Sequence, residues 1–275
     1  MSPLDVRSIV FAAALSAAAA VGSAAHAVEK PTNPWNNNAS PGLAALAAAA
    51  DQGRYAFVLF WKENDDATHR MQTALQDGMK QLPRPAEVVG VCLADSREAA
   101  TVEIFGVARA PLPLVAAVAP NGAVTKAWPL KLASGQLAEA IVSRGTAECL
   151  KAMQEQKLTL VCVQNAKSTQ RAAAKLAVAG FQADERFAAA TRVVVIDPAD
   201  PSEKAFLANL QVSPKTPEAV TVLVSPAGQA IGKFAGAVTT EDLVAKVASA
   251  QAGCCPGGQC GPNGCCPGGQ CGPAK

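Results

Sequence analysis

The chain has 275 residues, half of them apolar, with 24 basic and 22 acidic side chains. A net charge of +2 without a cluster of lysines and arginines argues against nucleic acid or a charged membrane surface as a partner. The length is sufficient for roughly two domains of about 100 residues each.

The first 27 residues have the pattern of a secretory signal peptide. Arg7 precedes an alanine-rich apolar run, and Ala25 and Ala27 satisfy the small-x-small rule for cleavage. An uncleaved membrane anchor is the alternative, but the run is shorter than the roughly 20 residues that a span needs. We therefore predict an exported protein, periplasmic, secreted or at the cell surface, in which His69 is the one remaining histidine.

Residues 28–42 are predicted to be a linker because prolines and asparagines dominate their first part. Ser40 and Pro41 are residue types that cap and begin a helix. The first domain is predicted over residues 43–145, in the element order β-α-β-α-β-β-α.

The segment from Tyr55 to Trp61 is an almost unbroken apolar run, which predicts a strand covered on both faces. A polar loop follows, in which Asp65 or Asp66 can cap a helix. Apolar residues then recur at helical spacing from Ala67 onward, so one face of this helix is expected to pack on the sheet.

Phe60 and Trp61, the loop and the amphipathic helix together resemble the thioredoxin superfamily, in which a Cys-x-x-Cys motif stands at the helix start. In this chain Asp65 and Thr68 occupy the two cysteine positions. The resemblance also implies a cis-proline segment facing the loop, and Pro111 carries that role over. A rigid start of the strand with trans bonds is the alternative, because only about 5% of X-Pro bonds are cis.

Residues 146–157 are predicted to form a connecting helix, and residues 158–250 repeat the same plan. This second unit also resembles a thioredoxin-like domain, with Asn165 and Ser168 at the cysteine positions and Pro217 in the cis-proline place. The resemblance implies an α/β protein of two tandem thioredoxin-like domains, each a central mixed sheet flanked by helices, without the redox dithiol.

Three cysteines lie inside the predicted domains, and none has a histidine or a second cysteine at redox spacing. Cys92 and Cys162 lie in predicted strands, where a thiol behaves as a small hydrophobe, and Cys149 lies on a helix.

Adjacent carboxylates at a helix start, Asp65 and Asp66, are more often caps than metal ligands or acid-base groups. We therefore assign no catalytic residue.

The C-terminal segment, residues 251–275, contains the same nine residues twice at a period of eleven. Its glycine and proline content predicts a disordered tail. Six of the nine cysteines of the chain fall in it: Cys254, Cys255, Cys260, Cys265, Cys266 and Cys271. Their spacing differs from that of zinc fingers. It suits a thiolate cluster around a soft ion, Cu(I) or Zn(II), and equally suits disulfides within the tail or between chains.

Two classes of function compete. The first is an exported, non-catalytic scaffold or binding protein whose tail binds metal or forms cross-links to a protein partner or a second copy. The second is a thiol-disulfide oxidoreductase that uses tail cysteines. The first is favoured because a reactive tail dithiol needs a lowered pKa, and Lys275 is the sole cationic side chain near these cysteines.

Overall fold

The computed structural model describes Trp35 and residues 40–252. The predicted signal peptide, most of the predicted linker and the six tail cysteines lie outside these residues. Of the helices in the described part of the chain, none combines the length and the apolar character needed to cross a bilayer.

The first domain contains three α-helices and four strands in the described residues. These are α1 Pro41–Asp51, β1 Tyr55–Trp61, α2 Asp66–Met79, β2 Ala86–Cys92, α3 Ala99–Phe105, β3 Leu114–Val118 and β4 Val124–Pro129. Short 3₁₀ helices, Ser96–Glu98, Val107–Arg109 and Ser134–Ala140, complete it.

The second domain repeats this order. Its elements are α4 Arg144–Gln154, β5 Leu158–Val163, α5 Arg171–Ala183, β6 Thr191–Ile196, α6 Lys204–Asn209, β7 Val220–Val224, β8 Ala230–Ala235 and α7 Thr240–Ala252, with a 3₁₀ helix at Pro201–Glu203.

Each domain is built on one four-stranded mixed sheet. The strand orders are β2-β1-β3-β4 and β6-β5-β7-β8, with the first pair of each sheet parallel and the other two antiparallel. Helices cover both faces of each sheet. This arrangement confirms the predicted fold of two tandem thioredoxin-like domains.

The central strand β1 is buried on both faces, which is why its sequence lacks polar alternation. Val58 and Phe60 face the core formed with α1 and α3, whereas Phe57 and Leu59 face α2 and the last 3₁₀ helix of the domain. Burial of each such side chain contributes about 1.5–3 kcal/mol relative to its exposure. Strand β5 occupies the same central position in the second domain.

Helix α4, which the sequence predicts as a connecting helix, packs on β5 and β6 and also contacts the first domain. Ala147 packs against Ala119 and Ala123 of the β3–β4 hairpin. The side-chain amide of Gln154 donates to the Val124 carbonyl at 2.6 Å and accepts from the Val124 N–H at 3.1 Å. One helix thus contacts both domains.

Trp35 lies in the segment predicted as linker, yet it is buried in the core of the first domain. Its ring stacks on Phe105 with centroids 5.5 Å apart, and the Lys151 ammonium of α4 lies 5.9 Å from the ring centroid. The predicted linker is therefore packed at this residue.

A buried glutamate meets the first helix of each domain at its N-terminus. The Glu98 carboxylate accepts hydrogen bonds from the Gly42 N–H, at 3.1 Å to each oxygen, and from Thr101 Oγ1 at 2.8 Å. Glu203 accepts in the same way from the Gly145 N–H at 2.8 Å. These N–H groups have no partner within their own helix, so the carboxylate satisfies them and complements the helix dipole.

We expect Gly42→Ala to destabilise the protein by about 1–3 kcal/mol, because the new methyl group would be overpacked. The added carbon would lie 2.7 Å from Glu98 Oε2 and 2.8 Å from Thr101 Oγ1. Urea denaturation followed by circular dichroism measures the change. Gly135→Ala is the control, since its added carbon would meet no atom within 4 Å. Equal stability of the two variants would contradict the role of this packing.

Candidate functional site

The loop between β1 and α2 is the place at which a thioredoxin carries its dithiol. Asp65 caps α2 there by accepting from the Thr68 N–H at 2.8 Å. The hydrogen bond from the Thr68 backbone N–H holds the pKa of the Asp65 carboxyl below its usual value. A carboxylate therefore occupies the helix N-terminus that a thiolate occupies in the thioredoxin pattern.

Thr68, at the second cysteine position of the thioredoxin pattern, is fixed by burial and by a hydrogen bond. Thr68 is buried, and its hydroxyl donates to the Glu63 carbonyl at 2.9 Å. His69 is exposed in the first turn of α2. The loop is thus closed by its own hydrogen bonds and presents no nucleophile at the two family positions.

The corresponding loop of the second domain is closed in a different way. The Asn165 N–H donates to Ser168 Oγ at 3.0 Å, and the Ser168 N–H donates back to the Asn165 carbonyl at 3.2 Å. The Asn165 amide also donates to Asp197 Oδ1 at 2.9 Å, which ties the loop to the end of β6. Asn165 and Ser168 thus have structural hydrogen bonds, and neither side chain can take part in thiol-disulfide exchange.

Pro217 lies beside this loop, as the resemblance implies for a cis-proline segment. The Thr169 N–H donates to the Pro217 carbonyl at 2.8 Å, and the Ala219 N–H donates to the Thr169 carbonyl at 3.0 Å. The start of β7 and the degenerate loop are therefore in direct backbone contact.

The cis peptide bond of the described residues joins Leu112 to Pro113, so the expected cis bonds at Pro111 and Pro217 are wrong. The two domains share a register in which Phe60 pairs with Leu114 and Val163 pairs with Val220. Pro113 is therefore the residue directly before β3 in the first domain, and Ala219 is the residue directly before β7 in the second. Each accepts an equivalent backbone hydrogen bond, from Leu130 at 2.7 Å and from Gly236 at 2.8 Å.

The strand register explains why the cis bonds expected at Pro111 and Pro217 are not found there. Pro111 lies two residues before Pro113, and Pro217 lies two residues before Ala219. The peptide bonds that precede Pro111 and Pro217 are trans. At the position equivalent to Pro113, the second domain has alanine, for which a cis bond is far less favourable than for proline. Two prolines separated by one residue could not be distinguished from the sequence pattern alone.

The cysteines of the described residues are not arranged for redox chemistry. Burial raises the pKa of Cys149 and of Cys162 to about 12, so both remain thiols near neutral pH. Cys92 is half-buried at the end of β2, with its sulfur 4.0 Å from the Lys62 carbonyl oxygen. Within Trp35 and residues 40–252, no group of three or more metal-ligating side chains comes together.

A surface groove between β2 and α2, here called the Trp61 groove, was not foreseen from the sequence. It encloses about 280 Å³ and is lined by Leu59, Trp61, Asn64, Thr68, Gln72, Leu75, Gln76, Val88 and Gly90. A side-chain carbon at Gly90 would lie 2.9 Å from Trp61 Cη2, so glycine allows the indole to lie against the strand. A glycine inside a predicted strand was the available signal of such a close approach.

Comparison with known proteins gives distant structural similarity. No family model matches the sequence, and no curated protein matches it. Among solved structures, the zinc-bound form of human ERp44 is similar at 9% identity and a TM-score of 0.33, over 75% of this chain and 58% of that one. The chain thus spans a little over half of the ERp44 chain.

Two further structures are similar over most of their own length. The first two thioredoxin domains of Saccharomyces cerevisiae Eps1p match at 10% identity and a TM-score of 0.26, over 78% of this chain and 95% of that one. An N-terminal domain of the Enterococcus faecalis alkylhydroperoxide reductase AhpF matches at 11% identity and a TM-score of 0.25, over 74% of this chain and 95% of that one.

We expect Asp65→Ala to lower the denaturation midpoint relative to Asp65→Asn near neutral pH, because asparagine can still cap α2. The folded protein lowers the pKa of Asp65, so its charge stabilises the fold fully above the unfolded pKa. That contribution is lost as pH falls through the folded pKa. The midpoint difference between wild type and Asp65→Ala should therefore narrow below roughly pH 4. A difference independent of pH would contradict the role of the carboxylate charge.

Proposed function

We propose that this protein is an exported, non-catalytic thioredoxin-like scaffold whose C-terminal cysteine repeats bind a soft metal ion or form disulfide cross-links. The observation that carries the proposal is the state of the two loops. In each, the residues at the family's cysteine positions form hydrogen bonds that close the loop: Asp65, Thr68, Asn165 and Ser168. Export rests on the signal-peptide pattern of residues 1–27, and N-terminal sequencing of the purified protein tests it.

Thiol-disulfide exchange requires an accessible sulfur that is deprotonated near neutral pH. Of the three cysteines in the described residues, two have a pKa of about 12. The third, Cys92, has no second cysteine within the Cys-x-x-Cys spacing in the sequence. These facts support domains that bind and position rather than oxidise or reduce.

The six tail cysteines then carry the protein's chemistry. Thiolates prefer soft ions such as Cu(I) and Zn(II), and glycines allow several sulfurs to converge on one ion. An oxidising compartment instead favours disulfides, within the tail or to a protein partner or a second copy. Both outcomes use the same sulfurs and are distinguished by their oxidation state.

A thiol-disulfide oxidoreductase that uses the tail cysteines is the second candidate. The density of tail cysteines favours it, since a pair of thiols on the tail could replace the dithiol that both loops lack. The neutral surroundings of these cysteines argue against it, because Lys275 is the sole charged residue after position 252.

The full chain should reduce insulin no faster than a variant with serine at all six tail cysteines, and both should remain at the rate of the buffer. The reason is that neither loop contains a cysteine, and that no cationic side chain except Lys275 lies near the tail cysteines in the sequence to lower their pKa. Turbidity of reduced insulin is the measurement, with a thioredoxin as positive control. Activity in the full chain alone would establish the oxidoreductase alternative. Activity in both proteins would contradict the proposal that the two domains lack thiol-disulfide oxidoreductase activity.

The reduced full chain should retain Cu(I) or Zn(II) through gel filtration, whereas the six-serine variant should not. Elemental analysis measures the retained metal, which should decrease at lower pH because sulfur must lose its proton to coordinate. Air-oxidised full chain should instead show tail disulfides by mass spectrometry or reducible multimers on a gel. A monomer with six free tail thiols and no bound metal would contradict the proposal.

A further inference from the structure

The Trp61 groove lies beside an open sheet edge, and the two features together suggest an occupant. We propose that the groove binds an extended, uncharged peptide segment of a partner protein, which adds as a strand to β2 and places an apolar side chain in the groove. The inference rests on the proposed function as a scaffold, and it names the surface and the class of partner.

The backbone edge of β2 is available for pairing. Among the strands of the described residues, β2 pairs with β1 and with no other strand. Alternate N–H and C=O groups along its outer side therefore have no strand partner within the described residues. Strand edges are commonly protected by lysine or proline, and neither occurs between Ala86 and Cys92. The charged residue of the strand, Glu87, is already paired with Arg54.

The lining of the groove matches a peptide better than an ion. Its accessible apolar surface comes from the Trp61 indole and from Val88, which is 47% exposed, whereas Leu59 and Leu75 are buried beneath it. Asn64, Gln72 and Gln76 contribute neutral amides, which can donate and accept hydrogen bonds with peptide groups. None of the described residues that line it is charged.

The side chains of a strand added to β2 would be spaced so that alternate ones face the groove. Side chains on one face of a strand recur every second residue, at roughly 6.6–6.8 Å, so an apolar residue can enter the groove while its neighbours point away. Backbone bonds to β2 would supply affinity that depends little on sequence, and the groove would select the apolar side chain.

The groove is not a general consequence of the fold, because the second domain lacks its two defining residues. By the shared strand register, Gln164 takes the place of Trp61 and Val195 takes the place of Gly90. Val195 is 59% exposed on β6, which is also an edge strand. The second domain therefore offers a matched control within the same chain.

The test uses the full chain labelled with ¹⁵N and a defined pool of heptapeptides, capped at both ends. Threonine alternates in them with leucine, valine, phenylalanine or tyrosine. We expect amide shifts in β2 and α2, and at least a tenfold loss of affinity in Val88→Lys. The control Val195→Lys should stay within twofold of wild type. Circular dichroism confirms that both variants are folded.

The proposal is overturned if the pool shifts no amide of β2 or α2, or if the two lysine variants lose affinity equally. It is also overturned if the chain alone forms a dimer that Val88→Lys abolishes, since the groove would then be an interface between copies. These results are independent of the insulin and metal assays, so failure of the groove and failure of the proposed function can be told apart.

Discussion

The buried carboxylate at the first helix of each domain is the interaction on which the packing of the helices depends. Glu98 directly precedes α3 and accepts from the Gly42 N–H of α1, so one side chain joins two helices over the same face of the sheet. A desolvated carboxylate is tolerated there because it is hydrogen-bonded and faces a helix N-terminus. Glu203 repeats the contact with Gly145, but Phe206 replaces the threonine found at Thr101, and Glu203 Oε2 has no hydrogen-bond partner within the described residues.

Helix α4 makes the two domains one scaffold. It covers the sheet of the second domain and contacts the β3–β4 hairpin of the first, partly through the Gln154 amide, which pairs with a backbone as another peptide group would. The Tyr55 hydroxyl donates to the Val142 carbonyl, which holds the segment leading into α4 against the first domain. The Trp61 groove in the first domain and the start of the cysteine tail after the second therefore belong to domains that share a packed helix.

In both loops, hydrogen bonds hold the residues at the positions where the thioredoxin pattern has cysteines. In the first domain a carboxylate caps the helix that would otherwise stabilise a thiolate, and in the second a pair of reciprocal hydrogen bonds closes the loop. The hydrogen bonds differ between the two loops, although the central strands of both domains pair in the same register. Both domains thus have a thioredoxin-like fold without a cysteine in the loop that follows the central strand.

The sequence by itself determined the strands, the helix caps and the repeated tail. An apolar run marked β1, and Ser40 and Asp65 capped helices as their residue types suggested. These features are readable because each depends on residues within a few positions. The cis bond at Pro113, the burial of Trp35 against Phe105 and the fit of Trp61 over Gly90 were decided by tertiary structure. Each depends on residues brought together from distant parts of the chain or on the register between strands, and a local pattern contains neither.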